Sequence, residues 1–148
     1  MKNEKGITIL ALIVTIIVMT IITFTVFYSA KGIDKSTEDD MLFMELKTVQ
    51  HIVLQEYNKK LVLGDKYNYI GIPTTNISDY NQKLGNKLKE NTIYYILGKD
   101  DLEKIGAKNV NSKYYLVCYE TGEVANISEF ETSDREKLHI EGTKPASY

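Results

Sequence analysis

The chain has 148 residues, enough for one modest domain with an appendage. Eighteen basic against twenty acidic side chains leave a net charge of −2, which gives no basic footprint for nucleic acid. One cysteine, Cys118, excludes a disulfide within the chain, and two histidines, His51 and His139, argue against a multi-histidine metal site.

In chain order, the first element is a charged head, Met1–Gly6, that runs into an uncharged stretch from Gly6 to Ala30. As a helix this stretch spans roughly 37 Å at about 1.5 Å per residue, while a bilayer core takes about 20 such residues. Fourteen residues between Ile7 and Ala30 are Ile, Leu, Val or Phe. At roughly −0.3 to −0.6 kcal/mol each, they favour insertion by about 4 to 8 kcal/mol. The threonines (Thr8, Thr15, Thr20, Thr23, Thr25) weaken this little, because a helical threonine hydroxyl bonds back to a carbonyl. A transmembrane helix is predicted over 7–31. Lys2, Lys5 and the amino terminus precede it and acids (Asp34, Glu38, Asp39, Asp40) follow, but Lys31 and Lys35 follow too, so a mild bias favours an amino end in the cytoplasm and the rest outside.

Three fates are open to this run. A removable secretory signal needs a shorter apolar core and small residues before the cut. Here Phe27 and Tyr28 stand where small residues are required. An uncleaved anchor for an extracellular binding or sensor module is the second. The third comes from Lys5-Gly6-Ile7-Thr8. "KGITILALIVTIIV" resembles the processing region of type IV prepilins and pseudopilins, in the variant common in Gram-positive bacteria. The resemblance implies a leader of residues 1–6, cleavage after Gly6 by a prepilin peptidase, and N-methylation of Ile7. A residue without a side chain suits entry of the backbone into a narrow protease cleft. It further implies retention of the helix as part of a filament core. The implied partners are the peptidase, other pilin or pseudopilin subunits, an inner-membrane assembly platform and the lipid bilayer. One position departs from the family: the glutamate usual five residues into the mature chain is Ala11 here. Its absence puts a main shaft role in doubt and leaves a minor or tip subunit open. Surface pilus, type II secretion pseudopilus and DNA-uptake pseudopilus are not distinguished.

Residues 32–60 continue as an amphipathic helix after Gly32, a potential joint. Leu42, Leu46, Val49, Val53 and Tyr57 recur at spacings of three and four, and Met41, Ile52 and Leu61 widen the stripe. Glu45, Lys47, Glu56 and Lys59 are expected on the wet side. A globular head is expected over 61–130. Gly64, Gly71 and Pro73 mark loops, Ser78 is a candidate cap of a short helix carrying Tyr80, Leu84 and Leu88 with Gly85 inside it, and Thr92–Leu97 reads as a strand. "KDDLEKIGAKN" has acids in a first turn and Gly106 near its end, so a short helix follows. Strands Tyr114–Tyr119 and Glu123–Ile127 form a hairpin through Thr121-Gly122. "YYILGKDDLEKIGAKN…YYLVCYETGEV" also resembles the heads of prepilin-like proteins. The predicted fold is α+β: a long amino-terminal helix packed on an antiparallel sheet of about three strands. Residues 131–148 are expected to be a loosely held tail.

Tyr94-Tyr95 and Tyr114-Tyr115 are adjacent pairs, so each sends one ring inward and one outward, where the outward rings could form a contact surface. Cys118 reads as a small buried hydrophobe, with an intermolecular disulfide as the sharper alternative. There is no glycine-rich phosphate loop, no His/Cys cluster and no acid pair set in an obvious pocket, so no enzyme, cofactor or metal is expected. Asp39-Asp40 and Asp100-Asp101 are sequence neighbours that face different directions on a helix.

Overall fold

A computed structural model of the chain describes residues 2–128 and 135–142, with side chains of residues 2–8, 10, 27–36, 135 and 136 excepted. The protein is α+β. Helix α1 (Lys2–Leu63) is followed by a 3-10 turn at Gly64–Lys66, strand β1 (Ile72–Thr74), helix α2 (Ser78–Lys83), strand β2 (Tyr94–Gly98), helix α3 (Lys99–Lys104), strand β3 (Tyr114–Cys118), strand β4 (Glu123–Asn126), a second 3-10 turn at Arg135–Leu138 and strand β5 (His139–Ile140). The chain divides into two compact units, Met1–Glu38 and Asp39–Tyr148.

In the first unit the described side chains belong to α1 alone. Thr15, Thr20, Thr23 and Thr25 donate their hydroxyls to the carbonyls of Ala11, Ile16, Met19 and Ile21 at 2.7–2.8 Å. The threonines therefore hide their polarity within the helix, as expected. Ile9, Ile16, Ile21 and Phe24 are 57–63% exposed. The span expected over 7–31 includes side chains outside the described set, and among the described residues no helix is long and apolar enough to cross a membrane.

The second unit is built on one antiparallel sheet with strands in chain order, β1-β2-β3-β4-β5. Strands consecutive in the chain pair in space, and β2, β3 and β4 alternate their side chains between two covered faces. On one face Leu46, Val49 and Val53 of α1 pack with Leu97, Tyr115, Val117, Tyr119 and Val124. Leu102 and Ile105 join this core from α3 and the turn after it. On the other face Tyr94, Leu116, Cys118 and Ala125 pack under Ile77, Leu84 and Leu88.

The expected strands appear within two residues of their predicted bounds, but among the described residues the sheet has five strands rather than about three. β1 was hidden by Pro73, which suits an edge, and β5 lies in the stretch expected to be a loose tail. Residues 135–142 are held: Lys137 Nζ meets Asp40 Oδ1 at 3.0 Å, and Gln50 Nε2 donates to the carbonyls of Gly122 and Glu141 at 2.9 and 2.8 Å. The remainder of that expected tail, 131–134 and 143–148, lies outside the described residues.

Three further expectations are corrected. Met41 and Leu61 do not widen the buried stripe of α1; they are 56% and 64% exposed. Glu56 is not on the wet side but is 2% exposed, paired with Lys59 one turn on. Glu45 turns toward the loop before β3, where three donors meet it. Gly122 shows why the β3–β4 turn needs glycine: φ is +73°, and a Cβ would stand 2.7 Å from Leu54 Cδ2.

Candidate functional site

The sequence singled out Lys5, Gly6 and Ile7 for processing. Their backbone belongs to α1, and their side-chain surroundings lie outside the described residues. Ala11 is described and exposed. From Ala11 to Val26 every described side chain is exposed and none is charged. Such a surface is stable only when lipid or protein covers it. Its chemistry is that of a contact surface: it offers no donors beyond threonine hydroxyls already engaged within the helix.

In the head, the exposed face of α1 is the second candidate. Met44 is 68% exposed, and Thr48, His51 and Gln55 lie on the same side. Gln55 Nε2 and His51 Nε2 are 3.1 Å apart, so His51 engages its own helix. Beside them Met41, Met44, Thr48 and the loop Asn109–Asn111 enclose an open groove of about 360 Å³. Glu45 forms part of its floor. Its carboxylate accepts from the Asn111 amide, from Ser112 Oγ at 2.8 Å and from Tyr115 OH at 2.9 Å. Asn126 Nδ2 in turn donates to Ser112 Oγ at 2.9 Å. The acid is thus tied down by neutral donors, and the groove is left with methionine and amide surface.

Deeper in the head lies a buried polar group. Glu123 accepts from Tyr94 OH at 2.6 Å and from His139 Nε2 at 2.7 Å, and the amide of Lys89 donates to Tyr94 OH at 2.9 Å. Glu123, Tyr94 and His139 are 1%, 0% and 7% exposed. These bonds link β2, β4 and β5 through side chains that are almost wholly buried. Burial first, then the hydrogen bond and charge of Glu123, raise the Tyr94 hydroxyl well above the usual tyrosine range. Among the described residues no three of His, Cys, Asp and Glu stand together as a metal site.

Of the tyrosine pairs, Tyr115 and Tyr94 are buried on opposite faces, whereas Tyr114 is 52% exposed. The ring of Tyr94 is therefore not an outward contact residue, because the Ile77–Leu88 segment covers that face. Cys118 is fully buried beside it, as a small hydrophobe. Sequence reasoning missed the partners of Glu45, Glu123 and His139. The signal for Glu45 was its place beside Leu46 at the border of the stripe; for His139 there was none.

Tyr69 stacks on Tyr119 with ring centroids 4.2 Å apart and planes 5° from parallel. Burial, then charge at Tyr57 and Glu120, pushes the Tyr69 hydroxyl up to about 12. The unfolded chain releases this proton near the ordinary value of about 10. The contribution to stability is therefore complete below pH about 10 and is lost as pH rises toward 12, because the unfolded state then binds fewer protons. Tyr94, Tyr115 and Tyr119 shift in the same direction, chiefly by burial. Unfolding of the full chain in detergent, followed against pH with tyrosinate absorbance, should show stability falling above pH about 10 while ionisation lags in the folded protein. Stability unchanged through that range would contradict the burial of these rings.

No family model, no curated protein and no solved structure matches this chain.

Proposed function

We propose that the chain is a pilin-like subunit of a type IV pilus or of a type II secretion-type pseudopilus. On this view it inserts with its amino end in the cytoplasm, is cut between Gly6 and Ile7 by a prepilin peptidase, is methylated on Ile7, and assembles through α1 into an extracellular filament that presents the head outward. The observation that carries this is the charge-free run after Lys5-Gly6, in a helix whose later residues Leu46, Val49 and Val53 belong to the core of an α+β head. Two further features support it. The described apolar side chains of α1 up to Val26 are exposed and need a cover. The head anchors the other end of α1 through Leu46, Val49 and Val53.

The mechanism follows from cost and gain. A helix favoured in lipid leaves the bilayer only when packing against other helices offsets the loss, so assembly needs a machine that moves subunits from one environment to the other. In lipid-like surroundings, helix association rests on close packing rather than on the hydrophobic effect. Ala11 and the threonines, with small or self-satisfied side chains, permit such packing.

Cleavage is tested by intact mass of the membrane form. The expected chain begins at Ile7 and carries one methyl group. A bulky residue at position 6, as in Gly6→Phe, should abolish the shift in mass entirely. A chain beginning at Met1 or Lys2, with filaments never released by shear, would instead fit an uncleaved anchored module.

A further inference from the structure

The groove beside Met44 gives the proposed assembly a register. On the exposed side of α1, Met41, Met44, Thr48, His51 and Gln55 follow at spacings of three and four without a charge among them. A helix face turned to solvent ordinarily carries charges. The one acid at the groove, Glu45, is committed to Asn111, Ser112 and Tyr115.

The same chain holds a matching surface. Met19, Thr20 and Thr23 line a shallow apolar depression on the amino-terminal part of α1, and no charged side chain is described between Ala11 and Val26 to set a register there. Further along, Glu38 is exposed, whereas Asp39 is buried and Asp40 is paired with Lys137. Lys59, 57% exposed, is paired with Glu56 one turn before it and lies on the same side of α1 as Met41 and Thr48, so a carboxylate brought level with it would share its ammonium group with Glu56.

We propose that the groove seats the Thr20–Thr23 turn of a second copy of this chain, parallel to the first and displaced by about 21 residues, or three heptads. At about 1.5 Å per residue this is an axial shift of about 31 Å. It sets Thr20 and Thr23 of one copy level with Met41 and Met44 of the next, and Glu38 of the first level with Lys59 of the second. Whole heptads bring nearly the same helix face round, with a drift of about 20° per heptad in a straight helix. Two heptads would set Glu38 level with Ile52, and four would carry it past the end of α1 at Leu63. Apolar and charged matches thus coincide at one displacement. The inference rests on the proposed function and adds to it the site and register of contact.

The test uses the full-length chain. Thr23→Cys and Met44→Cys copies are co-expressed, sheared filaments are collected and a short thiol cross-linker is applied. Cys118 is fully buried and does not compete. A cross-linked dimer is expected from the mixed pair and from neither variant alone. In parallel, Glu38→Lys should lower filament yield about tenfold by setting two ammonium groups together, and the double variant with Lys59→Glu should restore it. Filaments without the mixed cross-link, or with Met44→Cys joined to itself, overturn the proposal. Should the double variant fail to fold because Glu56 lies beside position 59, the cysteine pair decides. If the unaltered chain yields no filament at all, the proposed function fails and this inference with it; filaments that lack the cross-link leave that function standing.

Discussion

Replacing Glu123 by alanine should remove roughly 3–5 kcal/mol of stability, the usual cost of deleting one member of a buried pair. The carboxylate is 1% exposed and accepts from both Tyr94 and His139. Its loss leaves a buried hydroxyl and a buried imidazole without an acceptor, in a pocket closed by Ile77, Leu84 and Leu88. Domains of this size have about 5–15 kcal/mol in total, so the variant should be largely unfolded on modest warming. Glu123→Gln keeps an oxygen for one donor and should lose only about 1–3 kcal/mol. Thermal unfolding of the full chain in detergent, followed by circular dichroism, reads both. A loss below about 1 kcal/mol for the alanine variant would show that water reaches the site. The consequence reaches beyond the pair itself. β5 has two residues and joins β4 through Val124 and Ala125, so release of His139 should also loosen β5, leaving its flanks held by Lys137 on Asp40 and Gln50 on the Glu141 carbonyl.

Tyr119→Ala is expected to cost about 3–5 kcal/mol, because it empties a volume at the centre of the helix-side core. Tyr119 is 1% exposed, stacks on Tyr69, and meets the ring of Tyr95 edge-on at 5.1 Å. Tyr69 and Tyr95 also touch edge-on at 5.6 Å, so the three rings support one another. The hydroxyl acts separately from the ring. It donates to the carbonyl of Ile70 at 2.8 Å and so fixes the chain entering β1. Tyr119→Phe removes that bond alone and should cost about 1 kcal/mol. The gap between the two variants divides ring packing from hydrogen bonding. Equal losses would mean that the bond to Ile70, not the packing, holds β1 in place. Denaturant unfolding of both variants beside the parent chain measures the difference.

Much of the fold was legible because local signals agreed with the final contacts. Leu46, Val49 and Val53 fall at helical spacing, and α1 buries them. Tyr114–Cys118 and Glu123–Asn126 are β-prone segments around Thr121-Gly122, and they pair in the expected hairpin. Gly106 adopts positive φ after α3, where a helix must end; Gly85 was expected within the helix carrying Leu84 and Leu88, but α2 ends at Lys83 and both leucines lie beyond it. The charge-free run after Gly6 is a property of composition, and no tertiary contact is needed to see it.

What the sequence could not supply was the company of its polar residues. Glu56 and Glu45 share the charge pattern of a wet helix face, yet one is buried and the other bonds to a loop more than sixty residues away. Glu123 and His139 lie in separate segments, one in a hairpin and one in an apparently featureless tail, and meet only because β4 and β5 pair. By itself the sequence determined where apolar surface lies along the chain, because helix and strand periods are local. The tertiary structure alone decided which acids leave water and which side of α1 remains open, because burying a charge depends on donors brought from distant segments.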